Sequence, residues 1–165
     1  MARSGGAMAR TAVARLHLAP DAHVLEIGFG PGLALQRLAE VVEDGRLTGV
    51  DPSEVMHQHA TRRNQAAIRD GRLILLKATA ATLPLDDDTV DAVLAIDNLH
   101  FWPDITAGLR EISRVLRSCG RFVCAFTPPS GGPPYRLADA VADAGYVDIT
   151  EARATPGYIL TATNP

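Results

Sequence analysis

The sequence predicts an α/β fold, a Rossmann-like three-layer sandwich. Its sheet is expected to be seven-stranded and mostly parallel, with an antiparallel hairpin strand at the C-terminal end. Three observations lead there. Short β-type runs alternate with stretches of helical periodicity, which implies a parallel sheet with right-handed crossovers and helices on both faces. A glycine cluster, Gly28-Phe29-Gly30-Pro31-Gly32, directly follows the first β-type run. An acidic residue, Asp51, closes the second.

The elements are predicted in the following order. Residues 7–18 are rich in Ala, Arg and Leu and form a leading helix within a segment of 22 residues, ended by Pro20-Asp21. Residues 23–27 are the first strand. From 33 to 42, Leu35, Leu38, Ala39 and Val42 recur at helical spacing. Residues 46–50 are the second strand, and Ser53 caps a helix running to about Arg69. Residues 73–76 are the third strand, followed by a loop over 78–88 with Pro84 and three consecutive aspartates. Residues 90–96 are the fourth strand. Asp104 caps a helix whose Ile105, Leu109, Ile112, Val115 and Leu116 share one face. Residues 121–126 are the fifth strand, and 127–134 a Pro/Gly-rich loop expected to form one wall of the ligand pocket. A helix near 135–144 ends at Gly145. Residues 146–152 and 158–163 are two closing strands. No linker composition marks a boundary, so 1–165 reads as one domain.

Composition narrows the classes of function. Apolar residues make up 47% and charged residues 21%, an ordinary globular balance. The net charge of -3 gives no support to a nucleic-acid partner. No apolar run is long enough to span a membrane, and the N-terminus lacks a signal-peptide pattern. Cys119 and Cys124 have no zinc spacing, and Cys124 falls within a strand as a buried thiol. Two free thiols fit a reducing compartment, so the predicted location is the cytoplasm. Asp86, Asp87 and Asp88 point in different directions as consecutive residues and read as a solvated turn. No metal site is predicted.

The residues around the first two strands carry the chemistry. A glycine turn lets a ligand approach the backbone closely. In open α/β sheets, ligands lie beyond the carboxyl ends of the strands, at the switch in strand order. Gly28, Gly30 and Gly32 do not have the dinucleotide spacing, which places a third glycine three residues after the second. Asp51 comes 19 residues after Gly32, where a carboxylate can accept from both hydroxyls of a ribose. The pattern fits a nucleoside cofactor better than a dinucleotide.

Four segments, in order, resemble the class I S-adenosylmethionine-dependent methyltransferases of small-molecule type. They are 26–32, 50–56, 83–93 and 109–123, and the resemblance extends over 24–126, most of the chain. It implies the cofactor S-adenosyl-L-methionine and a role for each matching residue. Gly28, Gly30 and Gly32, with Phe29 among them, would wrap the methionine part. Glu26 would support that loop or reach the ammonium through water. Asp51 would bind the ribose, Pro52 would follow it on the wall, and Met56 would lie against the adenine. Thr79 and Ala80 stand where the family usually has Asp-Ala. The missing aspartate normally accepts from the adenine amine, and Thr79 offers a hydroxyl instead. Asp97 and Asn98, after the fourth strand, would meet the methionine end. His100 is the candidate catalytic base.

The function implied is methyl transfer to a small organic acceptor. The elements that would face an acceptor are short, which suits an open pocket or one completed by a second copy in a homodimer. Two other classes compete. One is a non-catalytic module that kept the fold and binds the cofactor or a partner. The other is an NAD-dependent oxidoreductase, which the glycine spacing disfavours.

Overall fold

The computed structural model of the protein describes residues 2–154 and 157–165. The elements are α1 (Ala2–Arg15), β1 (His23–Ile27), α2 (Leu33–Val41), β2 (Arg46–Val50), α3 (Glu54–Arg63), α4 (Gln65–Arg69), β3 (Leu73–Leu76), β4 (Val90–Ile96), α5 (Ile105–Val115), β5 (Leu116–Phe126), α6 (Leu137–Asp143), β6 (Val147–Ala154) and β7 (Gly157–Thr163). They build one seven-stranded sheet in the order β3-β2-β1-β4-β5-β7-β6. β1 to β5 run parallel, and β7 is antiparallel to both β5 and β6. The predicted α/β sandwich and its closing antiparallel strands are present. Strand order reverses between β1 and β4, which makes their carboxyl ends the place where a crevice opens.

Successive strand side chains point to opposite faces, so the sheet sorts its apolar residues into two cores. Leu25, Val93, Phe122 and Cys124 face α5 and α6, against Leu109, Ile112, Val115 and Val141. Val24, Leu94, Val123 and Ala125 face α1 and α2, against Met8, Ala12, Leu35 and Leu38. Glu26 sits two residues after Val24 and so points toward the α1–α2 side, as a buried carboxyl among hydrocarbons.

Several boundaries differ from the sequence reading, each for a local reason. The helix expected to continue to Arg69 breaks at Asn64, which adopts φ −110° and ψ 24°. Asn64 is buried, and its Nδ2 donates to Gly32 O and Ala60 O at 3.0 and 2.9 Å. It therefore ties the start of α2 to the end of α3. The fifth strand begins at Leu116 rather than residue 121. Its pairing with β4 jumps from Val90↔Leu116 to Ala92↔Arg121, with Cys119 in the left-handed region at φ 64°. This bulge is fastened by Asn164, whose N donates to Gly120 O and whose O accepts from Cys119 N. The leading helix lies at Ala2–Arg15, earlier than expected.

Both predicted N-caps are present. Ser53 Oγ accepts from Met56 N at 3.4 Å, and Asp104 Oδ1 accepts from Ala107 N at 3.0 Å. Cys124 is fully buried, and burial pushes its thiol pKa up, so it stays protonated. No helix among the described residues is long and apolar enough to cross a membrane.

Candidate cofactor site

A cavity of about 900 Å³ opens at the carboxyl ends of β1, β2, β3 and β4. That volume lies at the upper end of the range for small-molecule sites. The cavity gathers Glu26, Gly28, Phe29, Gly30, Asp51, Pro52, Met56, Thr79, Ala80, Asp97 and Asn98 on its walls. Of the residues assigned to the cofactor from sequence, only Gly32 stands outside the lining.

The glycine loop owes its path to the backbone. Gly28 has φ 65°, and a Cβ there would stand 2.5 Å from Asn98 Nδ2. Only glycine lets the turn after β1 pass this close to the turn after β4. Asn98 fixes the approach by donating its Nδ2 to Ile27 O. Gly32 serves a different contact. A Cβ there would meet Ala60 Cα at 2.9 Å, so this glycine allows α2 to pack against α3.

Asp51 is the hinge of the site. Its Oδ2 accepts from Gly30 N at 3.0 Å, and its Oδ1 accepts from Ser53 N at 2.9 Å. One carboxylate thus holds the glycine loop and the start of α3 together. A carboxylate offers about four lone-pair sites, so about two remain for hydroxyl donors. Its main-chain oxygen accepts from His57 Nε2 at 2.9 Å. The His57 ring packs edge-on against Phe29, with centroids 4.9 Å apart. Phe29 is mostly withdrawn into the α1–α2 core, over Gly49, where a Cβ would stand 2.8 Å from its ring.

Two buried oxygens on the cavity wall have no hydrogen-bond partner among the described residues. They are Glu26 Oε2 and Asn98 Oδ1. Buried polar atoms are almost always paired, so each such orphan beside a cavity calls for an explanation. Asp97 has φ 54°, a conformation rare for a residue with a side chain. Its Oδ1 and Oδ2 accept from Thr127 N and Thr127 Oγ1, both at 2.7 Å. Strained backbone of this kind clusters at functional sites.

Glu26 is 2% exposed. Burial pushes its pKa well above the ordinary 4.5; the neighbouring Asp51 raises it further, and the Leu35 amide offsets part of the rise. The folded state therefore holds a proton that the unfolded state releases as pH climbs past about 4.5. The stability linked to this group is full below that pH and is lost as pH rises through the folded value. The Glu26→Gln variant is expected to escape this loss. Thermal unfolding of the ligand-free protein between about pH 4.5 and pH 8 should show the variant gaining on the wild type with rising pH. Parallel curves would refute the assignment.

Some placements were not foreseen. His100 is exposed in a 3₁₀ turn at Leu99–Phe101 and lies outside the cavity lining, edge-on to Phe126 at 5.3 Å. The 127–134 loop was expected to form a pocket wall, but no residue of it lines this cavity. The Asp97–Thr127 bonds and a 3₁₀ turn at Pro128–Ser130 carry it away. Pro133 and Pro134 border a separate cleft of about 360 Å³ with Tyr135, Glu151 and Tyr158. The walls it was expected to supply come from Gly5 and Ala9 of α1 and from 101–104. Sequence reasoning also missed Arg114. This side chain donates to Leu83 O and Leu85 O at 3.1 and 2.9 Å and pairs with Asp87 and Glu111. It anchors the loop that walls the Thr79 end of the cavity.

An open α/β sheet, a glycine turn at its switch point and a carboxylate closing the neighbouring strand define a nucleoside-binding protein of the Rossmann-like class. A family model described as a methyltransferase domain matches residues 25–124, and the chain belongs to this family. It is 32% identical over 105 residues to YdaC, an uncharacterized methyltransferase of Bacillus subtilis, covering 64% of this chain and 56% of that protein. It is 37% identical over 116 residues to a demethylmenaquinone methyltransferase of Symbiobacterium thermophilum, covering 70% of this chain and 46% of that one. The chain thus spans about half the length of these curated relatives. Its fold matches the crystal structure of a SAM dependent methyltransferase from Aquifex aeolicus with a TM-score of 0.77 and 21% identity, covering 95% of this chain and 88% of that one.

Proposed function

We propose that this chain binds S-adenosyl-L-methionine in the cavity at the switch point and directs its methyl group to a small organic acceptor. The observation that carries this reading is the pair of orphaned oxygens, Glu26 Oε2 and Asn98 Oδ1, on the same wall as the Asp51 cradle. Glu26 and Asn98 would take the donors of the ammonium end. Asp51 would take the ribose hydroxyls through its remaining lone pairs. Met56 and Ala80 would border the adenine. The residues on these walls thus offer partners for the ammonium and the ribose and an apolar border for the adenine.

The cofactor supplies an electrophilic methyl on a sulfonium. The chain supplies position and exclusion of water, because an aligned displacement gains most of its rate from proximity. Beyond the glycine loop the walls are largely apolar, formed by Leu33, Ile96 and Trp102, with Phe101 82% exposed at the rim. An acceptor with a substantial apolar face suits these walls, and the demethylmenaquinone relative supports a quinone-like or other small organic acceptor. A cytoplasmic location accords with the two unpaired cysteines.

Calorimetry with S-adenosylhomocysteine tests the binding step. Incubation with methyl-labelled cofactor and a small-molecule extract tests transfer. A folded protein that gives no heat with either form of the cofactor would end the reading. His100 is expected to contribute little: His100→Ala should keep kcat within about threefold. A fall of about a hundredfold, the size of a general-base effect, would bring it back as the base.

A further inference from the structure

His57 touches two parts of the candidate site from the first turn of α3. Its N donates to Ser53 O at 3.1 Å, so its backbone is fixed in the helix. Side chains on a helix lean toward its N-terminus, which carries this ring back over the end of β2. There Nε2 donates to Asp51 O at 2.9 Å. A main-chain carbonyl only accepts, so Nε2 is a nitrogen that carries a proton. The same ring stands edge-on to Phe29, with the two planes 69° apart.

Phe29 lies between Gly28 and Gly30 and is buried. Gly30 N donates to Asp51 Oδ2, and Ser53 N donates to Asp51 Oδ1. The glycine loop, Asp51 and the start of α3 therefore form a closed triangle, with His57 supplying two of its contacts. His57 itself is half-buried and does not line the cavity, whereas Phe29, Asp51 and Met56 do. It braces the groups that would hold a ligand from behind the wall. The two contacts need different properties of one side chain, a polar edge for the carbonyl and a flat ring for Phe29.

We infer that His57 is a positioning residue for the cofactor: its Nε2 proton and its ring hold Asp51 and the glycine loop in one arrangement before the ligand arrives. This rests on the cofactor reading above. Without His57 the two arms have to be ordered on binding, and that cost appears as lost affinity. A single neutral hydrogen bond of this kind corresponds to about a three- to tenfold change.

Calorimetry with two compounds tests it: S-adenosylhomocysteine, and methylthioadenosine, which keeps the ribose and lacks the amino-acid end. His57→Leu keeps apolar bulk beside Phe29 and loses the donor. It should weaken both compounds by the same factor, about three- to tenfold, because both would use Asp51. His57→Gln brings an amide N–H to about the place of Nε2 and should recover most of the affinity. His57→Asn is equally polar but too short to reach Asp51 O, and should behave like His57→Leu. Thermal unfolding shows which variants are folded at the assay temperature. The comparison of glutamine with asparagine decides the matter even if the leucine variant does not fold. Wild-type affinity in folded His57→Leu, or equal affinities in the glutamine and asparagine variants, overturns the proposal and leaves the cofactor reading intact. So does a loss confined to S-adenosylhomocysteine, which would not run through the ribose carboxylate. A wild type that binds neither compound removes the cofactor reading, and this inference with it.

Discussion

Replacing Asp51 with alanine is expected to weaken S-adenosylhomocysteine binding by at least a hundredfold. The carboxylate accepts from Gly30 N and Ser53 N and would accept from the ribose hydroxyls as well. Each hydrogen bond to a charged group is worth about 1.5–3 kcal/mol, so losing two to the ligand accounts for about two to four decades. The variant also frees the glycine loop from the start of α3, which adds an ordering cost to binding. Calorimetry measures the affinity, and circular dichroism shows whether the sheet persists. A change below about threefold would mean that the ribose lies elsewhere.

The second large effect separates two glycines that look equivalent in sequence. Gly32→Ala combines a left-handed residue at φ 77° with a Cβ 2.9 Å from the Ala60 backbone. Strain and overpacking together should remove about 3 kcal/mol and lower the unfolding temperature by about 10 °C. Gly30→Ala meets nothing within 4 Å, and only its φ of 50° opposes the substitution. It should cost about 1 kcal/mol of stability, yet its methyl would project into open space beside the cofactor path and reduce affinity. Stability should thus fall mainly in one variant and binding mainly in the other. Equal unfolding temperatures for the two would contradict the packing account of Gly32.

The contrast shows which parts of the site can be read from a sequence. The placement of Gly28, Gly30 and Asp51 at the cavity was legible because it follows from local features: a tight turn, a strand end and a fixed separation along the chain. Strand positions were legible for the same reason. β3 and β4 follow directly from their runs of branched and aliphatic residues. Gly32 was assigned to the ligand because motif spacing does not reveal that Ala60, far along the chain, passes beneath it. The break at Asn64 was hidden similarly, since its bonds reach back to Gly32 O. The walls contributed by Gly5, Ala9, Trp102 and Asp104 depend on where α1 and α5 dock, which periodicity does not specify. One signal was available: Gly108 interrupts a strongly amphipathic helix, and a helix-interior glycine implies a close neighbour.

The grip of Arg114 on the loop after β3 has a consequence for how such a site can change. Two of its contacts are to main-chain carbonyls, at Leu83 and Leu85, and main-chain atoms are the same whatever residue bears them. A fastening of that kind tolerates substitution on the ligand-facing side while preserving the course of the chain.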